Sequence, residues 1–230
     1  MINLSTVILT RLKQYKNAIK HYQAELELAP ERPDSLINLG NCLIKRKQPR
    51  SALAYYKKAL PNHSNRSEVL YNIGNAQKLS KSHNEAIDSY HKVLELAPNH
   101  QKCLLNLGIT HLAQGEPEQA AQTFHRLIKI NNQYGLGWYY LAKSHLEQDN
   151  LDESIGAAKK ALDLAPKNHA FQLYTAPIFD YLCEFKCSDL TINDHALLET
   201  RSEEPDLDAL KVYPFFSLHH NTQHGEHKKH

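Results

Sequence analysis

The chain repeats its own pattern every 34 residues, and that period restricts the fold more than any other feature of its 230 residues. Leu39-Gly40, Ile73-Gly74 and Leu107-Gly108 stand one step apart, and Leu141-Ala142 takes the next place. Ala18, Ala52, Ala86 and Ala120 keep the same interval, with Ser154 in the fifth place. A period of this length marks a small supersecondary unit used over and over. Such a unit cannot bury its apolar face alone, so it must stack on its neighbours.

Each unit reads as a helical hairpin. Leu36, Leu39 and Leu43 recur at i, i+3 and i+7, which is one face of a helix. Ala52, Tyr56, Ala59 and Leu60 make a second face after Pro49, a residue suited to the first position of a helix. Gly40 lets a neighbouring helix approach closely, and Pro61 is expected to end its helix early. The chain has eight glycines, and its prolines fall largely between the periodic segments, as short turns between helices require. Hydrophobic residues at 41% and charged residues at 23% are enough for an ordered core. The expected fold is therefore all-α: a right-handed superhelical solenoid of about five hairpins with a concave inner surface. Its units are 1–32, 33–66, 67–100, 101–134 and 135–168. The first has a worn opening half, with Ser5-Thr6 where later units carry an apolar residue and glycine. Residues 169–211 are expected to form a capping helix and linker, with Pro177 kinking or ending the helix. Residues 212–230 are expected to be a truncated start of a catalytic region or a disordered tail.

The unit pattern resembles the tetratricopeptide repeat, W-x-x-L-G-x-x-Y, then A-x-x-x-F, then P. Here it stands as Leu70-x-x-Ile73-Gly74-x-x-Gln77, Ala86-x-x-x-Tyr90, Pro98. The fifth unit has Trp138-x-x-Leu141-Ala142-x-x-His145, Ser154-x-x-x-Ala158, Pro166. The resemblance implies that Asn38, Asn72 and Asn106, each two residues before a glycine place, face the hollow. An asparagine amide offers both donor and acceptor, so a ladder of them can grip an extended peptide backbone without reading its sequence. Tyr140 takes this place in the fifth unit and Leu4 in the first. Asn41 and Asn75 lie nearby and are a weaker pair. Tyr71 and Tyr139 stand next to the ladder and could line the groove. The alternative is that these asparagines only support the hairpin.

Other chemistry is sparse. Net charge is near +2 with histidines neutral, and no Lys/Arg stripe alternates with aromatics, which argues against nucleic acid as partner. No apolar run approaches the roughly 18 residues that read as a membrane span, and no signal peptide is recognisable at the start. The four cysteines suit a reducing compartment, so the expected location is cytoplasmic. Cys183 and Cys187 could share a helix face with His195 near, but packing is the better reading than zinc. His219, His220, His224, His227 and His230 read as adventitious metal affinity and not as a defined site. No G-x-S-x-G, glycine-rich phosphate loop or H-E-x-x-H occurs, so no catalytic residue, metal site or cofactor is assigned.

The segment after the repeats carries a second resemblance. Cys183-Glu184-Phe185 followed by Ser188-Asp189-Leu190, then Val212-x-Pro214-x-x-Ser217-Leu218, His224-Gly225 and Lys228, resembles SPINDLY-like O-linked N-acetylglucosaminyltransferases. In that family such motifs join the repeats to the catalytic half, and the asparagine ladder holds the acceptor protein. Glu184 and Phe185 depart from its Asp and Trp. The implied function is a scaffold that binds extended peptide or protein segments, as the acceptor-binding part of such an enzyme. The two lobes that would bind a UDP-sugar do not occur in these residues, so the chain itself is expected to transfer no sugar. The alternative is a free-standing tetratricopeptide adaptor or co-chaperone-like protein. Either way the expected partners are proteins or peptides, acceptor or client, with no membrane, and a bare first hairpin could pair with a second copy.

Overall fold

A computed structural model of the chain describes residues 13–164. These fall almost wholly in the first of the chain's two compact units, Met1–Ala161. The expected capping helix, Cys183, Cys187, His195, the terminal histidines and the transferase-like motifs lie outside the described residues, as do Leu4 and Ser5-Thr6.

The described residues form nine helices and no strand. In order they are α1 (Tyr15–Leu28), α2 (Pro33–Lys45), α3 (Pro49–Ala59), α4 (Arg66–Leu79), α5 (His83–Leu96), α6 (Gln101–Ala113), α7 (Pro117–Ile130), α8 (Gly135–Leu146) and α9 (Leu151–Asp163). From α1 to α8 each helix packs chiefly on its neighbours in sequence. The pairs α2/α3, α4/α5, α6/α7 and α8/α9 are hairpins, and α1 is the second helix of the unit before them. The expected all-α repeat solenoid is what the described residues form.

The turn inside each hairpin is one motif used repeatedly. Gln48 N–H donates to Leu43 O and Lys47 N–H to Ile44 O, both at 2.9 Å. Ser82, Glu116 and Asn150 repeat the longer bond to Gln77, His111 and His145. These bonds satisfy the carbonyls left over where the first helix ends. The motif needs one residue in the left-handed region. Lys13, Lys47, Lys81, Gly115 and Asp149 supply it, at φ between 57° and 74° and at intervals of one repeat. The second helix starts at once, with Pro49 and Pro117 at the first position of α3 and α7. Pro61 shortens α3 to 11 residues, against 14 in α1, α5 and α7, as the sequence leads one to expect. Asn65 then caps α4, its side-chain oxygen accepting from Glu68 N–H at 3.2 Å.

A glycine–aromatic contact closes each hairpin. Tyr56, Tyr90 and Phe124 on the second helices are fully buried, and their rings lie against Gly40, Gly74 and Gly108 on the first. A Cβ at Gly74 would stand 2.6 Å from Tyr90 Cε1, and one at Gly108 would stand 2.5 Å from Phe124 Cζ. In the last hairpin both members change together: Ala142 takes the glycine place, Ala158 takes the aromatic place, and both are buried. The methyl that the earlier rings exclude is present where the ring is gone. Ser154, in the place of the recurring alanine, stays buried because its hydroxyl donates to Ala142 O at 2.9 Å. A second pair varies in step. Tyr56 and Tyr90 donate their hydroxyls to Asn41 and Asn75 at 2.7 and 2.8 Å, and where the ring is Phe124 the matching residue is Ile109.

Two substitutions test this account. Gly74→Ala adds helix propensity of about 1 kcal/mol but overpacks the ring, so a net loss of about 1–3 kcal/mol is expected by urea unfolding. Lys47→Gly relieves the left-handed strain at an exposed turn and is expected to stabilise by about 1 kcal/mol in the same assay.

Candidate peptide-binding face

The first helices of successive hairpins also touch one another, α4 with α6 and α6 with α8. The asparagine series lies on these first helices, with Asn38 on α2, Asn72 on α4 and Asn106 on α6. The three members do not share one environment. Asn38 and Asn72 are half-buried and make no side-chain hydrogen bond among the described residues. Asn106 is equally covered, but its amide is fully engaged across the joint between two units. Its Nδ2 donates to the Tyr71 hydroxyl at 2.9 Å and to Asn75 Oδ1 at 3.0 Å, and its Oδ1 accepts from Lys78 Nζ at 2.6 Å.

The reason lies one unit upstream of each asparagine. Tyr71, Asn75 and Lys78 follow each other at i, i+4 and i+7, so α4 presents them as one stripe toward α6. The matching residues on α2 are Ile37, Asn41 and Ile44, which offer Asn72 neither a hydroxyl nor an ammonium. Asn75 also accepts the Tyr90 hydroxyl, so it ties a hairpin internally and joins the next one at the same atom. Asn41 does only the former, for Tyr56.

Tyr140, at the fourth place of the series, is 9% exposed. Its ring stacks on Phe124 with centroids 5.6 Å apart and meets Tyr139 edge-on at 4.9 Å. A side chain covered to this degree offers a passing ligand little area. Tyr139 is buried as well, whereas Tyr71 is half-buried and leans on the His100 ring at 5.0 Å. The polar part of the face is thus Asn38 and Asn72, followed by the linked group Tyr71, Asn75, Lys78 and Asn106.

Lys78 is the member that sequence reasoning missed. Its spacing from Tyr71 and Asn75 is the signal that could have found it. Burial makes the ammonium costly and lowers its pKa from 10.5 to about 8. Burial likewise raises the Tyr71 phenol above its ordinary value, partly offset by its hydrogen bonds to Asn75 and Asn106. Among the described residues no group of three metal-ligating side chains comes together, and no helix is long and apolar enough to cross a membrane.

Three matches to tetratricopeptide repeat families cover residues 3–65, 79–144 and 135–168. The chain is a tetratricopeptide repeat protein. No curated protein matches its sequence. Solved structures match in fold. A tetratricopeptide repeat protein from Parabacteroides merdae aligns at TM-score 0.72 and 18% identity, over 87% of this chain and 78% of that one. MamA aligns at TM-score 0.67 and 20% identity, over 71% and 95%. YrrB, described as a tetratricopeptide repeat protein with an unusual peptide-binding site, aligns at 0.62 and 18%, over 74% and 87%. At these identities the likeness is one of fold alone. The repeat fold is that of protein-interaction scaffolds, and the transferase resemblance finds no counterpart among these matches.

The Lys78 proton gives the face a measurable signature. The unfolded chain holds this proton more tightly than the folded one, so folding stability rises as pH climbs from about 8 toward 10.5. Lys78→Met should remove that part of the rise. Urea unfolding of both proteins at a series of pH values checks it, and parallel curves would contradict the assignment.

Proposed function

We propose that the face of first helices holds an extended peptide, with the Asn38 and Asn72 amides hydrogen-bonding its backbone. The observation that carries this reading is that two amides, one repeat apart on neighbouring helices, are half-exposed and uncommitted. A free amide can exchange water for a peptide group at little cost, whereas a committed one must first break its own bonds. Asn106 therefore serves as the rigid end of the site, and Tyr71 beside it supplies a flat apolar wall. A backbone grip without side-chain pockets suits many sequences, as a scaffold requires.

Within that reading the partner is the acceptor segment of an O-linked glycosylation system. The support is the resemblance of residues 183–228 to the linker of SPINDLY-like transferases, together with the asparagine series. A free-standing adaptor is the alternative, and it uses the same face.

Peptides selected from a random displayed library supply the probe. Affinity for a selected peptide is expected to fall by about tenfold or more in Asn38→Ala/Asn72→Ala, with the melting temperature nearly unchanged. Asn106→Ala is expected to do the reverse, costing about 1–3 kcal/mol of stability because its half-buried partners Tyr71, Asn75 and Lys78 lose their bonds. Undiminished affinity in the double variant would remove the free amides from the function. Enrichment of Ser and Thr at a fixed place in the selected peptides supports the acceptor reading, and indifference to them favours the adaptor.

A further inference from the structure

The hairpin turns stack along one edge of the array, and their charge changes sign along it. Five windows span the turns, the first limited to its described residues: 13–18, 45–52, 79–86, 113–120 and 147–154. The first holds Lys13 and Lys16 and no acid; the second holds Lys45, Arg46, Lys47 and Arg50 and no acid. The third balances Lys81 against Glu85. The fourth holds Glu116 and Glu118, and the fifth holds Glu147, Asp149, Asp152 and Glu153, with no cation in either. One end of the edge is cationic, the middle neutral and the other end anionic.

The stacking is observed. Lys47 and Arg50 of the second turn line one hollow with Ser80 and Lys81 of the third. Gln114 Nε2 donates to Asn84 Oδ1 between the third and fourth turns, and Gln148 Nε2 donates to Pro117 O at 3.2 Å between the fourth and fifth. The four cations of the second turn are exposed and form no ion pair among the described residues. In the anionic half Glu116 is held by His111 at 2.7 Å, and Glu147 lies 3.8 Å from Lys143. Glu118, Asp149 and Glu153 are exposed.

We propose that two copies of this chain pair edge to edge and antiparallel through these turns. Laid parallel, the edges would set cation against cation and acid against acid. Turned by a two-fold axis through the neutral third turn, the first turn meets the partner's fifth and the second meets its fourth. This is the self-complementary arrangement a two-fold dimer requires. Exposed ion pairs are individually weak, but a row of them acting in register sets orientation and partner choice. The turns suit this use because their side chains project from a backbone that the core already holds. The pairing leaves the face of first helices free and does not depend on any ligand there.

Sedimentation equilibrium of the full chain at low and high salt tests the proposal. A dimer is expected at about 0.05 M NaCl, weakened about tenfold or more at about 0.5 M, where screening shortens to a few ångströms. Two variants reverse one contact each: Arg46→Glu/Lys47→Glu/Arg50→Glu on the second turn, and Glu118→Lys/Gln119→Lys on the fourth. Each alone should associate about tenfold or more weakly than the wild type, because like charges then face each other. Mixed one to one, they should form a heterodimer, since each reversed turn meets the other's complement. Circular dichroism melts of both variants separate lost pairing from lost folding; a variant that unfolds is replaced by the single change Arg50→Glu or Glu118→Lys. A wild type that is monomeric at low salt, association indifferent to salt, or folded variants whose mixture fails to pair would each overturn the proposal.

Discussion

A ring pressed against a helix backbone is the contact on which the architecture rests. Tyr56, Tyr90 and Phe124 occupy the space that a side chain at Gly40, Gly74 or Gly108 would need. The two helices of a hairpin can therefore close to the distance at which their remaining apolar residues also meet. The cost is a glycine in a helix interior, about 1 kcal/mol in propensity, against the burial of a whole aromatic side chain worth about 1.5–3 kcal/mol. The balance favours the close approach, and it does so in three successive units. Where the ring is absent, at Ala158, the glycine is absent too.

The turns solve a separate problem with separate residues. A left-handed residue satisfies the end of one helix and starts the next without spending any of the core. Only Gly115 does this without strain; Lys13, Lys47, Lys81 and Asp149 do it at a modest cost. The core therefore determines how hairpins close, and the turns determine what the edge presents. The face of first helices is a third surface, built from residues that neither closure nor turn requires.

Most of the fold could be read from the chain, because period, apolar spacing and proline placement are local and repeat four or five times. The early end of α3 at Pro61 was legible for the same reason. The candidate face was legible only as positions. Asn38, Asn72 and Asn106 are identical in sequence register, yet Asn106 alone meets a hydroxyl, an amide and an ammonium. That difference comes from Tyr71 and Lys78 one repeat earlier, residues that a unit-by-unit comparison treats as variable. Tyr140 shows the same limit: its register matches the series, but the Phe124 ring behind it draws it into the packing. Register predicts where a side chain begins, and its neighbours on the next unit decide where it ends.

The Ala142/Ala158 exchange has a mechanical meaning. Cooperativity in a stack passes only through shared faces, so each hairpin is as firmly joined as the area it buries. Two methyl groups cover less than a ring on a glycine. Among the described hairpins the last is thus the one closed without a ring, and its amide protons should exchange before those of the ring-closed hairpins.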